Sequence, residues 1–267
     1  MSNLNEQVGA SVAFIKKCVH ASPSLGMVLG SGLGDFADSL PNAISIAASS
    51  IPNYPSISVE GHKGRLVFAA VDKHEILVFQ GRVHFYESDN LEAVLYPVRV
   101  AYDLGIRTLI VTNAAGGVNP SLAPGDLMVI TDQINLTSLH LPLLASKPRA
   151  RPTPYSRRLI QIAFHMGDSH GLLLKKGVYA GVLGPSYETA SEVEMIRRIG
   201  GDAVGMSTVM EVSFASSLGM EVLGITCITN RATGTSSSRL SHDEVTEVAN
   251  RVKKDFALLL SLIIRNL

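Results

Sequence analysis

Thr108-Leu109-Ile110-Val111-Thr112-Asn113-Ala114-Ala115-Gly116-Gly117 is a strand-forming run that gives way to small and polar residues. A strand with one wet face alternates apolar with polar. This one does not, so both of its faces are expected to be buried. The pattern recurs on either side. Residues 25–29 run into Gly30-Ser31-Gly32-Leu33-Gly34, residues 66–71 and 76–79 read as neighbouring strands, and 127–131, 178–182, 202–206 and 222–229 read as further ones. Helical periodicity lies between them. Leu91, Val94, Leu95, Val98, Ala101 and Tyr102 step by three or four until Gly105 stops the helix. Thr189-Ala190-Ser191-Glu192 and Ser241-His242-Asp243-Glu244 have capping-box form and open two more helices, the first closed by Gly200-Gly201. Continuous apolar strands alternating with helices predict one α/β domain over residues 1–267, its sheet covered on both faces. Residues 136–156, with Pro142, Pro148, Pro152 and Pro154, read as a mobile surface loop.

Composition narrows the function classes. Of 267 residues 46% are apolar, enough for a substantial core, while 23 basic residues balance 23 acidic ones. No global field favours nucleic acid or an anionic membrane, so any anion site must be local. Cys18 and Cys227 are too few and too far apart for a disulfide framework or a zinc cluster, and fit a reducing cytoplasm. The start of the chain lacks the basic and apolar regions of a secretory signal. The longest apolar run, residues 256–264, is interrupted by Ser261 and is too short to span a bilayer.

Polar residues collect where strands end. Ligands of open α/β sheets bind beyond the carboxyl ends of strands. Gly30-Ser31-Gly32, Gly81-Arg82, Asn113-Ala114-Ala115, Met206-Ser207 and Thr229-Asn230 are therefore expected to line one cleft. The glycine-rich turn at 30–34 offers backbone N–H groups and one hydroxyl, a phosphate cradle or simply a tight turn. In Gln80-Gly81-Arg82-Val83-His84-Phe85-Tyr86 a guanidinium, an imidazole and a phenol stand at alternate positions. If the chain stays extended they share one side. Arg82 suits an oxyanion, through two parallel N–H bonds. His62, between glycines in Gly61-His62-Lys63-Gly64, reads equally as a donor to that anion or as a loop histidine. Glu188, just before a helix, is either a cap or an acceptor for ring N–H donors, with Tyr187 beside it. Asn230 both donates and accepts, as reading a carbonyl-bearing heterocycle requires. The alternative is an amide that holds the next turn.

Together these motifs resemble the trimeric purine nucleoside phosphorylases. The resemblance is carried by residues 29–34, 61–66, 80–87, 111–117, 184–189, 204–209 and 228–230, in order across most of the chain. It implies a nucleoside phosphorylase fold, with a twisted mixed sheet, partly barrel-like, flanked by helices. It implies reversible phosphorolysis of purine nucleosides and deoxynucleosides, inosine and guanosine preferred, with inorganic phosphate as co-substrate and neither metal nor organic cofactor. By motif position it makes Ser31, His62, Arg82, His84, Ala114 and Ser207 the phosphate site. Tyr187, Glu188 and Asn230 become the base site, and Tyr86, Met206 and His242 the sugar contacts. His84, Glu188 and Asn230 are the expected catalytic residues, and a cytoplasmic homotrimer is the expected assembly. Residues 137–155 lack the acidic–aromatic stretch that the family carries there.

Three other readings compete. A methylthioadenosine phosphorylase tends to carry aspartate where Asn230 stands. A nucleoside hydrolase relies on an aspartate cluster for calcium, and the sequence shows none. A nucleoside-binding module without catalysis explains the glycine-rich turn but leaves Arg82, His84, Glu188 and Asn230 without a purpose.

Overall fold

A computed structural model of the chain describes residues 2–57, 63–140, 152–234 and 242–267, without the side chains of 2, 3, 242–246 and 249. Helix α1 (Ser2–Cys18) leads into β1 (Leu25–Leu29), the short α2 (Asp35–Asp38), β2 (Ile44–Ala47), β3 (Arg65–Val71) and β4 (His74–Gln80). One turn of helix, α3 (Phe85–Ser88), and α4 (Leu91–Asp103) precede β5 (Thr108–Gly117) and β6 (Leu127–Asn135). Then come α5 (Arg157–Ser169), β7 (Leu174–Gly181), α6 (Ala190–Arg198), β8 (Ala203–Gly205), α7 (Val209–Ser217), β9 (Glu221–Arg231) and α8 (His242–Arg265).

The described strands form one mixed sheet in the order β2-β3-β4-β1-β5-β8-β7-β6-β9, and β9 returns to pair with β5. Half of the sheet is therefore open, and the other half closes on itself through β5. Burial explains why the strands are apolar throughout. Along β1, Val28 belongs to one apolar cluster while Leu25, Met27 and Leu29 belong to another. Along β5, Leu109 and Val111 join the first and Ile110 the second. Helices α1, α4 and α7 supply Ile15, Val98 and Phe214 to the first cluster. Helices α5 and α8 supply Leu159, Phe256 and Ile263 to the second. Successive residues of a strand point to opposite faces, so covering both faces demands an unbroken apolar run.

Strand β5 sets the position of the site. On one edge β1 pairs with it as far as Val111, and β8 pairs with it from Gly116. Residues 112–115 lie between those two partners. On the other edge β9 runs parallel to β5 over its whole length, with a register shift between Ala115 and Gly116. The gap left by β1 holds the turn after β1. There Gly30 N–H donates to Thr112 Oγ1 (3.2 Å), and Leu33 N–H to Gly30 O (3.1 Å). A methyl group on Gly30 would lie 2.6 Å from the Cα of Asn113, so the two backbones approach closely only because residue 30 has no side chain.

Several expectations change. The central run does not stop at Thr112: β5 continues to Gly117 and β9 to Arg231, because each offers the other a partner. The strand expected over 202–206 is only Ala203–Gly205. The chain is not extended through Tyr86. Strand β4 ends at Gln80, Gly81 takes φ +120°, and Tyr86 sits in α3. Helices α1, α5 and α7 and strand β2 were not foreseen. Of the loop expected over 136–156, residues 141–151 lie outside the described residues, as does Ser241 of the second expected capping box.

Gly30→Ala is expected to lower unfolding stability by about 1–3 kcal/mol, the scale of overpacking against backbone that cannot yield. Urea denaturation of the variant checks this; an unchanged midpoint would contradict the close approach.

Candidate functional site

Arg82 leaves the end of β4 and turns inward, with 2% of its surface exposed. Its guanidinium donates through Nη1 to Ser207 Oγ (2.6 Å) and Thr208 Oγ1 (3.2 Å), and through Nη2 to Thr112 O (2.8 Å). Its Nε stands 3.6 Å from Oε1 of the buried Glu211. A buried guanidinium is tolerated only where charge and hydrogen bonds compensate lost water, and these partners come from two separate segments, β5 and the turn into α7.

Thr208 links them. It is a β-branched residue at φ +76°, a conformation that costs about 1–3 kcal/mol and persists only when neighbours impose it. Asn113 Nδ2 donates to its hydroxyl (2.8 Å), and its backbone N–H donates to Glu211 Oε2 (2.9 Å). That second bond closes a capping box at the start of α7.

A second carboxylate sets His84. Glu87 Oε1 accepts the backbone N–H of His84 (2.6 Å) and lies 3.1 Å from its Nδ1, which orients the ring. The ring stacks on Tyr86, with centroids 5.0 Å apart and planes 17° apart. Burial raises the Tyr86 phenol above its usual range, and Glu87 and Tyr187 add to this, so the side chain stays a neutral donor.

The glycine-rich turn is tied from behind. Gln80 Nε2 donates to Gly34 O (2.7 Å) and its Oε1 accepts from Arg65 Nε (2.6 Å). Asp38 then holds Arg65 and Lys63, the latter at 2.8 Å.

At the opposite end lies a carboxylate. Thr189, not Glu188, caps α6: its hydroxyl accepts from Glu192 N, and Glu192 Oε2 accepts from Thr189 N (2.7 Å). Glu188 is thus released from the capping role and lines the cleft instead. Burial raises its carboxyl above the usual range, the bond to its own backbone N–H offsets this in part, and the charge of Glu192 adds to it. The Asn230 amide is 9% exposed and held at both atoms. Thr229 Oγ1 donates to its Oδ1 (3.0 Å), and one Nδ2 hydrogen goes to Arg231 O (3.1 Å). A second Nδ2 hydrogen is then left for a ligand acceptor. Tyr187, 46% exposed, stands on the rim.

These ends belong to one cleft of about 250 Å³, and all five strand ends contribute to its lining. Ser31, Arg82, His84, Ala114 and Ser207 come together with Tyr86, Met206, Tyr187, Glu188 and Asn230. The cleft has a cationic, hydroxyl-rich end and a carboxylate–amide end. His62 lies outside the described residues, and His242 opens α8 with its side chain outside the description. Sequence reasoning missed Thr208 and Glu211, although Thr208-Val209-Met210-Glu211 has the capping-box spacing that would have revealed them. Glu87 is the helical i+3 neighbour of His84, a weaker signal.

A cleft of this size, cationic and hydroxyl-rich at one end and lined by a carboxylate and an amide at the other, suits a small polar molecule. The model of the phosphorylase superfamily matches residues 24–265, and the chain belongs to that family, among its purine nucleoside phosphorylases. It is 48% identical over 261 residues to purine nucleoside phosphorylase 1 of Geobacillus stearothermophilus, covering 95% of each chain. Its identity to purine nucleoside phosphorylase 1 of Bacillus subtilis is 44% over 268 residues, covering 98% of each. Among solved structures, the purine nucleoside phosphorylase of Schistosoma mansoni in complex with inosine superposes with a TM-score of 0.90. The two are 33% identical, and the match covers 98% of this chain and 96% of that one.

The raised Glu188 carboxyl has a measurable consequence. Between the usual carboxylate value and the raised folded value the unfolded chain has already lost its proton, so stability falls as pH rises through that window. The contribution is complete below the window. Urea denaturation from about pH 4 to 7, spanning the usual carboxylate range and above, should show the wild type losing ground to Glu188→Gln as pH rises. Parallel curves would show the carboxyl unperturbed.

Proposed function

We propose that this protein catalyses reversible phosphorolysis of purine nucleosides and deoxynucleosides, giving free purine and (deoxy)ribose 1-phosphate. One observation carries the reading: a buried guanidinium with hydroxyl partners shares a single cleft with a carboxylate and an amide. The names of the relatives support it, as do Schistosoma enzymes solved with hypoxanthine, inosine and guanosine.

In this reading phosphate, the co-substrate, is held by Ser31, Arg82, His84, Ser207 and the backbone at Ala114. Glycosidic cleavage passes through an oxocarbenium-like transition state. Positive charge grows on the sugar and is stabilised by the phosphate dianion beneath it, which attacks opposite the base and inverts the anomeric carbon. Negative charge grows on the leaving purine. Asn230 meets it with the remaining Nδ2 hydrogen, and Glu188 fixes the ring by accepting its N–H. Tyr187 packs on the base at the rim, and Tyr86, Met206 and His242 border the sugar. Catalysis is positioning plus electrostatic stabilisation without a covalent enzyme intermediate, and the reaction calls on no metal or organic cofactor. A homotrimer in the cytoplasm, with His62 near the phosphate rim, completes the proposal. Among the described residues no helix is long and apolar enough to cross a membrane.

Incubation with inosine, with and without phosphate, tests the reading: hypoxanthine release should require phosphate. Release without phosphate would mean a hydrolase, and none in either case a binding module. On folded protein, Arg82→Ala should lose about 2–4 kcal/mol of transition-state stabilisation, the scale of one preorganised donor. Near-normal phosphorolysis would remove Arg82 from the site.

An amide donor suits a 6-oxo group, whereas an aspartate accepts from a 6-amino group. Asn230→Asp should shift the ratio of kcat/KM for inosine over adenosine by about tenfold or more toward adenosine, the scale of one mispaired buried polar group. Steady-state rates on both nucleosides check it, and an unchanged ratio would contradict the base-reading role.

A further inference from the structure

We propose that Glu211 is the positioning residue of the oxyanion pocket: it aligns Arg82 and the Ser207–Thr208 hydroxyls from behind. The inference rests on the phosphorolysis reading above. Glu211 is 3% exposed, and the described lining of the cleft does not include it. It therefore acts through other groups. One oxygen faces Arg82 Nε at 3.6 Å, and the other accepts the N–H of Thr208 at 2.9 Å.

The geometry forms a loop. Thr208 Oγ1 accepts from Arg82 Nη1 at 3.2 Å, so Arg82, Thr208 and Glu211 each touch the other two. Thr208 at φ +76° presents its hydroxyl to Arg82 and to Asn113 only while Glu211 holds its N–H. Ser207, next in the chain, also accepts from Arg82 and lines the cleft. A single carboxylate thereby fixes both the fork of the guanidinium and the turn that carries the hydroxyls. A carboxylate has two acceptor oxygens, and the two groups facing Glu211 are both donors. An amide of the same shape has one acceptor and one donor. It keeps either the Thr208 bond or a favourable approach to Arg82, not both.

Glu211→Gln tests this with phosphate and inosine as substrates. The KM for phosphate should rise about tenfold or more, the scale of one lost charge-assisted contact, while the KM for inosine stays within about twofold. Loss of folded protein alone would lower apparent kcat and move neither KM. A folded Glu211→Gln with unchanged or lowered KM for phosphate would overturn the proposal. If that variant does not fold, Glu211→Asp is read by the same split, since it keeps the charge but withdraws it by one methylene. Unaltered enzyme run in parallel separates the two claims. If it shows no phosphate-dependent cleavage, the function and this inference fall together. If it does, the variant alone decides the role of Glu211.

Discussion

The guanidinium of Arg82 ties the structure's functional end together. Strand β4 ends beside it, the carbonyl of Thr112 on β5 accepts from it, and the turn into α7 surrounds it with two hydroxyls and a carboxylate. A charge this deep is costly unless every partner is in place. The dependence is therefore mutual: the segments hold Arg82, and Arg82 obliges them to stay together. Thr208 stores backbone strain at this junction, a common mark of a site held ready by its surroundings.

Topology gives that tie a place to form. Strand β5 is longer than β1 and hands its edge over to β8 only at Gly116. The interval at residues 112–115 is occupied by the glycine turn and by Arg82 instead of a strand. The other edge of β5 stays paired with β9, whose last residues bring Thr229 and Asn230 to the same end. One long strand with an incomplete edge thus collects both halves of the cleft. The turn itself is braced through Gln80, Arg65 and Asp38, none of which lines the cleft.

Much of this was legible in the sequence, for identifiable reasons. The unbroken apolar runs at 25–29 and 108–112 reported strands buried on both sides, and the apolar clusters on the two faces of the sheet agree. The strand ends converge as sequence reasoning expected, because small residues there reflect close backbone approach. The trio Arg82, His84 and Tyr86 shares a cleft for a different reason than alternation: Gly81 redirects the chain and α3 turns Tyr86 back onto His84. Glu188 was ambiguous because a carboxylate before a helix suits both a cap and a site. The Thr189–Glu192 box, whose form the sequence already shows, takes the capping role. Glu211 shows in the sequence only through its capping-box spacing from Thr208, which went unread, while its approach to Arg82 joins residues far apart in the chain, which no local pattern reports.

The return of β9 to β5 also bears on how the molecule avoids sticking to itself. In the order of the described strands the closed half has no terminal strand, and the open half ends on the four-residue β2, paired on one side with β3. That border is short, and Ile44 at its start is half exposed. At that end of the sheet only a brief stretch is open to strand addition by another chain, the usual route to edge-to-edge aggregation. It lies four strands from β5.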